Sequence, residues 1–146
     1  GTNEIQAIDL LVRKVLADGG QGLAALLATL PGAAPSPAAS ARRHALVEIT
    51  QTLAIAAQTD PELPYWVADD YLRAVALVLL DWAWGEISAV AQGERGSEPP
   101  QAPERWSTPA QALAQWVLPE FEMRAAMLRQ RIAQALEIKP KMAATA

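Results

Sequence analysis

His44 is the one histidine of the chain, and so the first candidate for a general base near neutral pH. It follows Arg42 and Arg43 in the chain's only basic cluster. Such a run can mark a nucleic-acid contact or line the solvated face of a helix, and a surface position on an amphipathic helix is the expectation here. Asp69-Asp70 is the carboxylate pair that could suggest a cation site. Asp69-Asp70 falls near a helix start, where acidic side chains face the positive end of the helix dipole. Glu120 and Glu122 follow Pro119 and are expected to be exposed. Gly19-Gly20 and Gly22 do not form a phosphate-binding loop and read as a helix end. A zinc site needs several His or Cys ligands, and a di-iron bundle needs Glu-x-x-His on two helices; neither set is present. No Gly-x-Ser-x-Gly turn occurs. No catalytic residue and no metal site is therefore expected within the chain.

The elements that must carry these residues are all helices. The 146 residues suit a single domain, residues 1–146, large enough to bury a core. Hydrophobic residues make up 51 % and charged residues 19 %. The absence of cysteine excludes disulfides and thiolate metal ligands, and is compatible with a cytoplasmic location. A net charge of -4, from 12 Lys and Arg against 16 Asp and Glu, argues against nucleic-acid binding. The apolar stretch from Tyr71 to Trp84 contains Arg73 and Asp81, so a buried helix is expected there in place of a membrane span. No basic region precedes an apolar one in Gly1 to Asp9, so no signal peptide is expected.

A first helix is predicted from about Asn3 to Ala17, with Ile5, Ile8, Val12 and Val15 as its inner stripe. Asn3 and Gln6 have capping-box spacing, Asp9 and Arg13 lie four apart, and Gly19-Gly20 stops the run. A short helix follows from Gln21 to Leu30, with Leu23, Leu26, Leu27 and Leu30 on one face. Ser36 caps the next helix with Pro37 at its first position; Leu46, Ile49, Leu53 and Ala56 or Ala57 form its stripe, and Asp60-Pro61 ends it. A helix from about Tyr65 to Ala91 contains the unbroken apolar run Ala74 to Leu80, marking it as the centre of the bundle. Within it Asp69 and Arg73 have i,i+4 spacing. A polar loop is expected from Gln92 to Arg105 and a frayed tail from Lys139 to Ala146. The last helix is predicted to start at Thr108-Pro109-Ala110-Gln111 and to kink at Pro119, with Leu113, Val117, Phe121, Ala125, Leu128, Ile132 and Leu136 inward. The fold class is all-α, a bundle of four long helices and one short helix.

Trp66, Trp82, Trp84, Trp106 and Trp116 are many tryptophans for this length. Core packing accounts for them most simply, and an interface with a partner is the alternative. Trp82 and Trp84 are two apart and so point to roughly opposite sides of their helix.

Three stretches carry a family resemblance. Gly1-Thr2-Asn3-Glu4-Ile5-Gln6, continuing through Asp9-Leu10-Leu11-Val12-Arg13-Lys14, resembles the turn and following helix in the C-terminal domain of flavin-dependent acyl-CoA dehydrogenases. Tyr71-Leu72-Arg73, continuing to Trp82, looks like a helix of the extra C-terminal bundle of the long branch, which includes methylmercaptopropionyl-CoA dehydrogenases. Trp116-Val117-Leu118-Pro119 is similar to that branch's last helix. Residues 1–31 then correspond to the end of the C-terminal domain and 36–138 to the extra bundle. The resemblance implies an oxidoreductase of fatty acid metabolism that removes an α-proton and a β-hydride from an acyl-CoA thioester, with FAD as hydride acceptor. It places Gly1 against the substrate and Thr2, Asn3 and Glu4 against the flavin. Glu4 departs from members with Gln there, whose amide donates a bond that a carboxylate cannot. The family's catalytic Glu precedes the glycine, and its strand-rich domain holds most of the flavin. This chain alone is therefore expected neither to retain FAD nor to turn over. The implied partners are the remainder of the dehydrogenase or identical subunits. The alternative is a free-standing helical interaction module with no enzymatic role.

Overall fold

The computed structural model describes residues 1–32, 34–93 and 104–137, and these are helical throughout apart from their connections. The elements are α1 (Thr2–Ile8), α2 (Gln21–Thr29), α3 (Pro37–Thr59), α4 (Leu63–Ala91), α5 (Glu104–Ala112) and α6 (Glu120–Glu137). The all-α class holds. Among the described residues four long helices and one short one describe the bundle approximately, the last long run being divided by a π-type turn before α6. The predicted 92–105 loop falls mostly on undescribed residues, and the predicted tail lies outside the described ones.

α1 does not start as its sequence suggests. Gly1 is the N-cap residue and no side chain caps the helix, so the Asn3–Gln6 capping box does not form. The helix continues as a π-type turn over Asp9–Val15 and a 3-10 turn over Leu16–Asp18. A π turn closes one residue later than an α turn. Side chains four apart then line up, and Ala7, Leu11 and Val15 become the buried stripe. Of the predicted stripe only Val15 is buried; Ile8 and Val12 are half-buried, and Ile5 is 70 % exposed. Arg13 does pair with Asp9, at 2.7 Å.

Gly19 and Gly20 both take left-handed conformations and end this helix. Gly20 has a second reason to be glycine, because an added Cβ would lie 2.4 Å from the Thr50 Cγ2 atom on α3. Asp18 caps α2 from behind, its two oxygens accepting from the Gly20 and Gly22 amides at 2.9 Å each.

α3 follows its sequence signals. Ser36 Oγ accepts from the Ala39 amide at 3.1 Å, Pro37 occupies the first turn, and Asp60 terminates the helix in an extended conformation. Leu46, Ile49, Leu53 and Ala56 are all buried. α4 is the hub, packing against α1, α3 and α6. It is also long and apolar enough by composition to cross a membrane; in this fold its inner face is covered by those three helices. Tyr71 at its centre is fully buried, and its hydroxyl lies 2.6 Å from Thr50 Oγ1. Thr50 donates its single hydroxyl proton to the Leu46 carbonyl at 2.7 Å, so Tyr71 is the donor in the pair. Burial pushes the Tyr71 phenol up to about 12.

The predicted start at Thr108-Pro109 is overturned: α5 already includes Glu104, and Pro109 sits inside it. A proline late in a short exposed helix loses only one backbone bond, and neighbouring turns tolerate it. The expected disturbance at Pro119 is present. Its ring excludes the carbonyl four residues back, and the chain widens ahead of it into a π-type turn over Leu113–Val117. The Leu118 amide reaches back to the Leu113 carbonyl at 2.9 Å, and α6 restarts with the Phe121 amide bonded to the Leu118 carbonyl. Phe121, Ala125, Leu128 and Ile132 then face the core. Leu136 does not, being 40 % exposed, and neighbouring Ala135 is buried in its place.

Candidate functional site

The residues singled out by the family resemblance lie at the outer end of α1. Gly1, Thr2, Asn3 and Glu4 are all exposed. These four residues line neither of the two cavities described next.

The larger cavity is a groove of about 490 Å³ between α2, the 30–35 connector and α3. Gly20 lies against Thr50 while Leu30 shares the groove with Ser40, so α2 runs back along α3 in the opposite direction. Leu27, Leu30, Ala24 and Ala28 form its apolar side, joined by Val47 from α3. Ser40, Arg43 and His44 supply the polar side. These four α3 residues have spacings of three, one and three, which put them on one helical face. A smaller cavity of about 90 Å³ adjoins the groove and shares Arg43 with it, together with Asp81, Trp82 and Glu86 from α4. The Trp82 indole donates to the Pro31 carbonyl at 2.8 Å and so holds the connector over this corner.

The basic cluster is not the uniform surface face its sequence suggests. Arg42 is drawn inward and bonds Asp81 through Nε and Nη2 at 2.9 and 2.7 Å, with both side chains about 15 % exposed. Arg43 is half-buried, and among the described residues no hydrogen bond or ion pair engages it. His44 is exposed, as expected. Among the described residues neither a carboxylate nor the Ser40 hydroxyl is bonded to it.

Glu120, expected to be exposed, joins Asp70 in a cross-helix cluster instead. Arg73 pairs with Glu120 at 2.7 Å, and not with its helical neighbour Asp69. Arg124 bridges Glu120 at 3.0 Å and Asp70 at 2.5 Å. Hydrogen bonds from Arg73 and then Arg124 pull the Glu120 carboxyl down to about 2. The correction has a geometric cause. α4 and α6 run antiparallel, which aligns position 73 with 120 and 70 with 124, and bidentate guanidinium bonds outcompete an exposed i,i+4 pair. Glu122 is exposed as expected; Asp69 is exposed too, and because α4 starts at Leu63 the Asp69-Asp70 pair lies beyond its first turn, which holds no acidic residue. No group of three or more His, Cys, Asp or Glu able to hold a metal occurs among the described residues.

Core packing does not explain the tryptophans. Trp66 and Trp116 are 78 % and 73 % exposed, Trp106 is at the surface, and Trp82 and Trp84 are half-buried. The register that pairs Asp70 with Arg124 brings Trp66 level with Met127, which is also exposed. The groove escaped sequence reasoning because α2 contributes its apolar wall; the signal that existed was the shared face of Ser40, Arg43, His44 and Val47 on α3. No family model, no curated protein and no solved structure matches this chain.

Proposed function

We propose that this chain is the C-terminal helical region of a long-branch, flavin-dependent acyl-CoA dehydrogenase. The observation that carries the reading is the run from Gly1 to Gly20, in which the family-like turn leads into a helix ended by a double glycine. The all-α architecture agrees with it, since the corresponding region of the family is helical. Exposure of Gly1 to Glu4 leaves their backbone and side chains available to a flavin held mainly by other parts of the enzyme. In this role Gly1 borders the acyl-CoA, Thr2, Asn3 and Glu4 complete the FAD contact, and the helices supply assembly surface. The α-proton is removed by a carboxylate outside this chain, and the location is cytoplasmic.

The test is complementation. This polypeptide, mixed or co-expressed with a long-branch dehydrogenase body lacking its C-terminal region, should restore bound FAD and acyl-CoA-dependent dye reduction. On its own it should show no flavin absorbance. Stoichiometric FAD on the isolated chain, or a body indifferent to its addition, overturns the reading. So does a non-acidic residue encoded immediately before Gly1.

A second reading, a helical interaction module without enzymatic role, is favoured by the exposure of Trp66 and Trp116. It expects a concentration-dependent rise in mass on sedimentation, reduced by Trp66→Ser and Trp116→Ser, and no effect on any dehydrogenase body.

A further inference from the structure

We propose that the groove between α2 and α3 binds a small amphiphilic monoanion, a carboxylate carried on a short aliphatic chain. This site is separate from Gly1 to Glu4 and does not depend on the dehydrogenase reading.

Three observations converge on it. The first is Arg43. A guanidinium is always charged, and partly burying one without an acceptor is costly unless something else satisfies it. Neighbouring Arg42 has Asp81, and Arg73, Arg124 and Arg129 each have a carboxylate. Arg43 has none among the described residues, yet it lines the groove and its smaller annex. The carboxylates on the annex side do not answer it, because Asp81 is held by Arg42 and Glu86 has a partner of its own.

The second observation is the distribution of polarity. Ser40, Arg43 and His44 all come from α3, while α2 presents Leu27 and Leu30 opposite them. One wall donates hydrogen bonds to an anion, and the other offers aliphatic surface. A fully ionic ligand such as phosphate would leave that aliphatic wall wet, and a purely apolar one would leave the guanidinium unanswered.

The third is size. At about 490 Å³ the groove falls within the range of small-molecule sites, roughly 300–1,000 Å³. The α2 wall from Leu30 to Ala24 is about 9 Å long at the helical rise. That length suits a straight chain of medium size laid along α2 with its carboxylate on Arg43.

The experiment is an amide-resolved NMR titration of the full chain with sodium octanoate, with 1-octanol and inorganic phosphate run as separate arms. Saturable octanoate shifts confined to residues 24–30 and 40–47 are expected, with octanol and phosphate each at least about tenfold weaker. Arg43→Gln should weaken octanoate about tenfold or more, the effect of losing a charge-assisted bond. Ala28→Trp, which fills the groove from an exposed position on α2, should abolish binding with an unchanged melting temperature. Equal binding of octanoate and octanol, equal binding of phosphate, or octanoate shifts scattered over the surface overturns the proposal. Unaltered octanoate binding by Ala28→Trp overturns it too, even if Arg43→Gln fails to fold.

Discussion

Around Tyr71, α4 is joined to its two long neighbours by opposite chemistries. Toward α3 the central link is neutral and dry, with the Arg42–Asp81 ion pair farther along the same seam: Tyr71 donates to Thr50 in the core, and Thr50 donates to the Leu46 carbonyl. Toward α6 the link is ionic and partly wet, with Asp70, Arg73, Glu120 and Arg124 arranged along the seam. The neutral pair has no alternative partner, so its value lies in what happens when one member is removed. The ionic cluster has water as an alternative, so each of its pairs contributes little on its own. Both links set register, but the buried one carries the larger penalty for error.

The strongest way to break the comparison is to attack the hydrophobic contact under the ionic seam. Phe121 is buried one residue after Glu120, and Phe121→Ala should cost about 3–5 kcal/mol by chemical denaturation. A much smaller loss would mean that charge, and not packing, holds α6 in place. Gly20→Ala comes next. It forces a left-handed alanine and drives a methyl onto Thr50, together about 2–4 kcal/mol, read as a fall in the denaturation midpoint.

The neutral link is sharpened by an asymmetric pair. Thr50→Val strands the Tyr71 hydroxyl in the core and should cost about 1–3 kcal/mol. Tyr71→Phe leaves Thr50 still bonded to Leu46, and should cost about 1 kcal/mol. Equal losses would contradict the donor assignment. The smallest effect belongs to the ionic seam, where Glu120→Gln should change stability at neutral pH by about 1 kcal/mol or less, and less still in high salt.

The two links should also separate by pH. Glu120 has a lowered pKa in the folded chain, about 2 against an ordinary 4.5. Its contribution is therefore complete above about 4.5 and is lost as pH falls toward 2. Tyr71 is raised, to about 12 from 10, so its contribution is complete below about 10 and is lost as pH rises through 12. Stability curves of Glu120→Gln and Tyr71→Phe should lose the acid and the alkaline component respectively.

Much of the fold is legible in consecutive residues. Ser36-Pro37 starts α3, Asp60-Pro61 ends it, Gly19-Gly20 stops the first helical run, and Pro119 interrupts the last. Each of these acts through backbone geometry within one turn, so no distant residue is needed to read it. The core stripes of α3 and α6 are legible for a related reason, since helical period alone collects Leu46, Ile49 and Leu53, or Phe121, Ala125 and Leu128, on one side.

What the tertiary structure alone decided is pairing and exposure. Arg73 had an acceptable partner four residues away, and the antiparallel register of α4 and α6 gave it a better one in Glu120. Arg42 and Arg43 are adjacent and alike in sequence, but of the two only Arg42 bonds a carboxylate among the described residues, and it takes Asp81. The tryptophans carry no sign in the sequence of whether a helix will cover them, and Trp66 and Trp116 are left uncovered. The groove beside Arg43 exists only because α2 turns back along α3. Caps, stops and stripes are properties of one stretch of chain; partners and cavities depend on how separate stretches are placed against each other, and no single stretch encodes that.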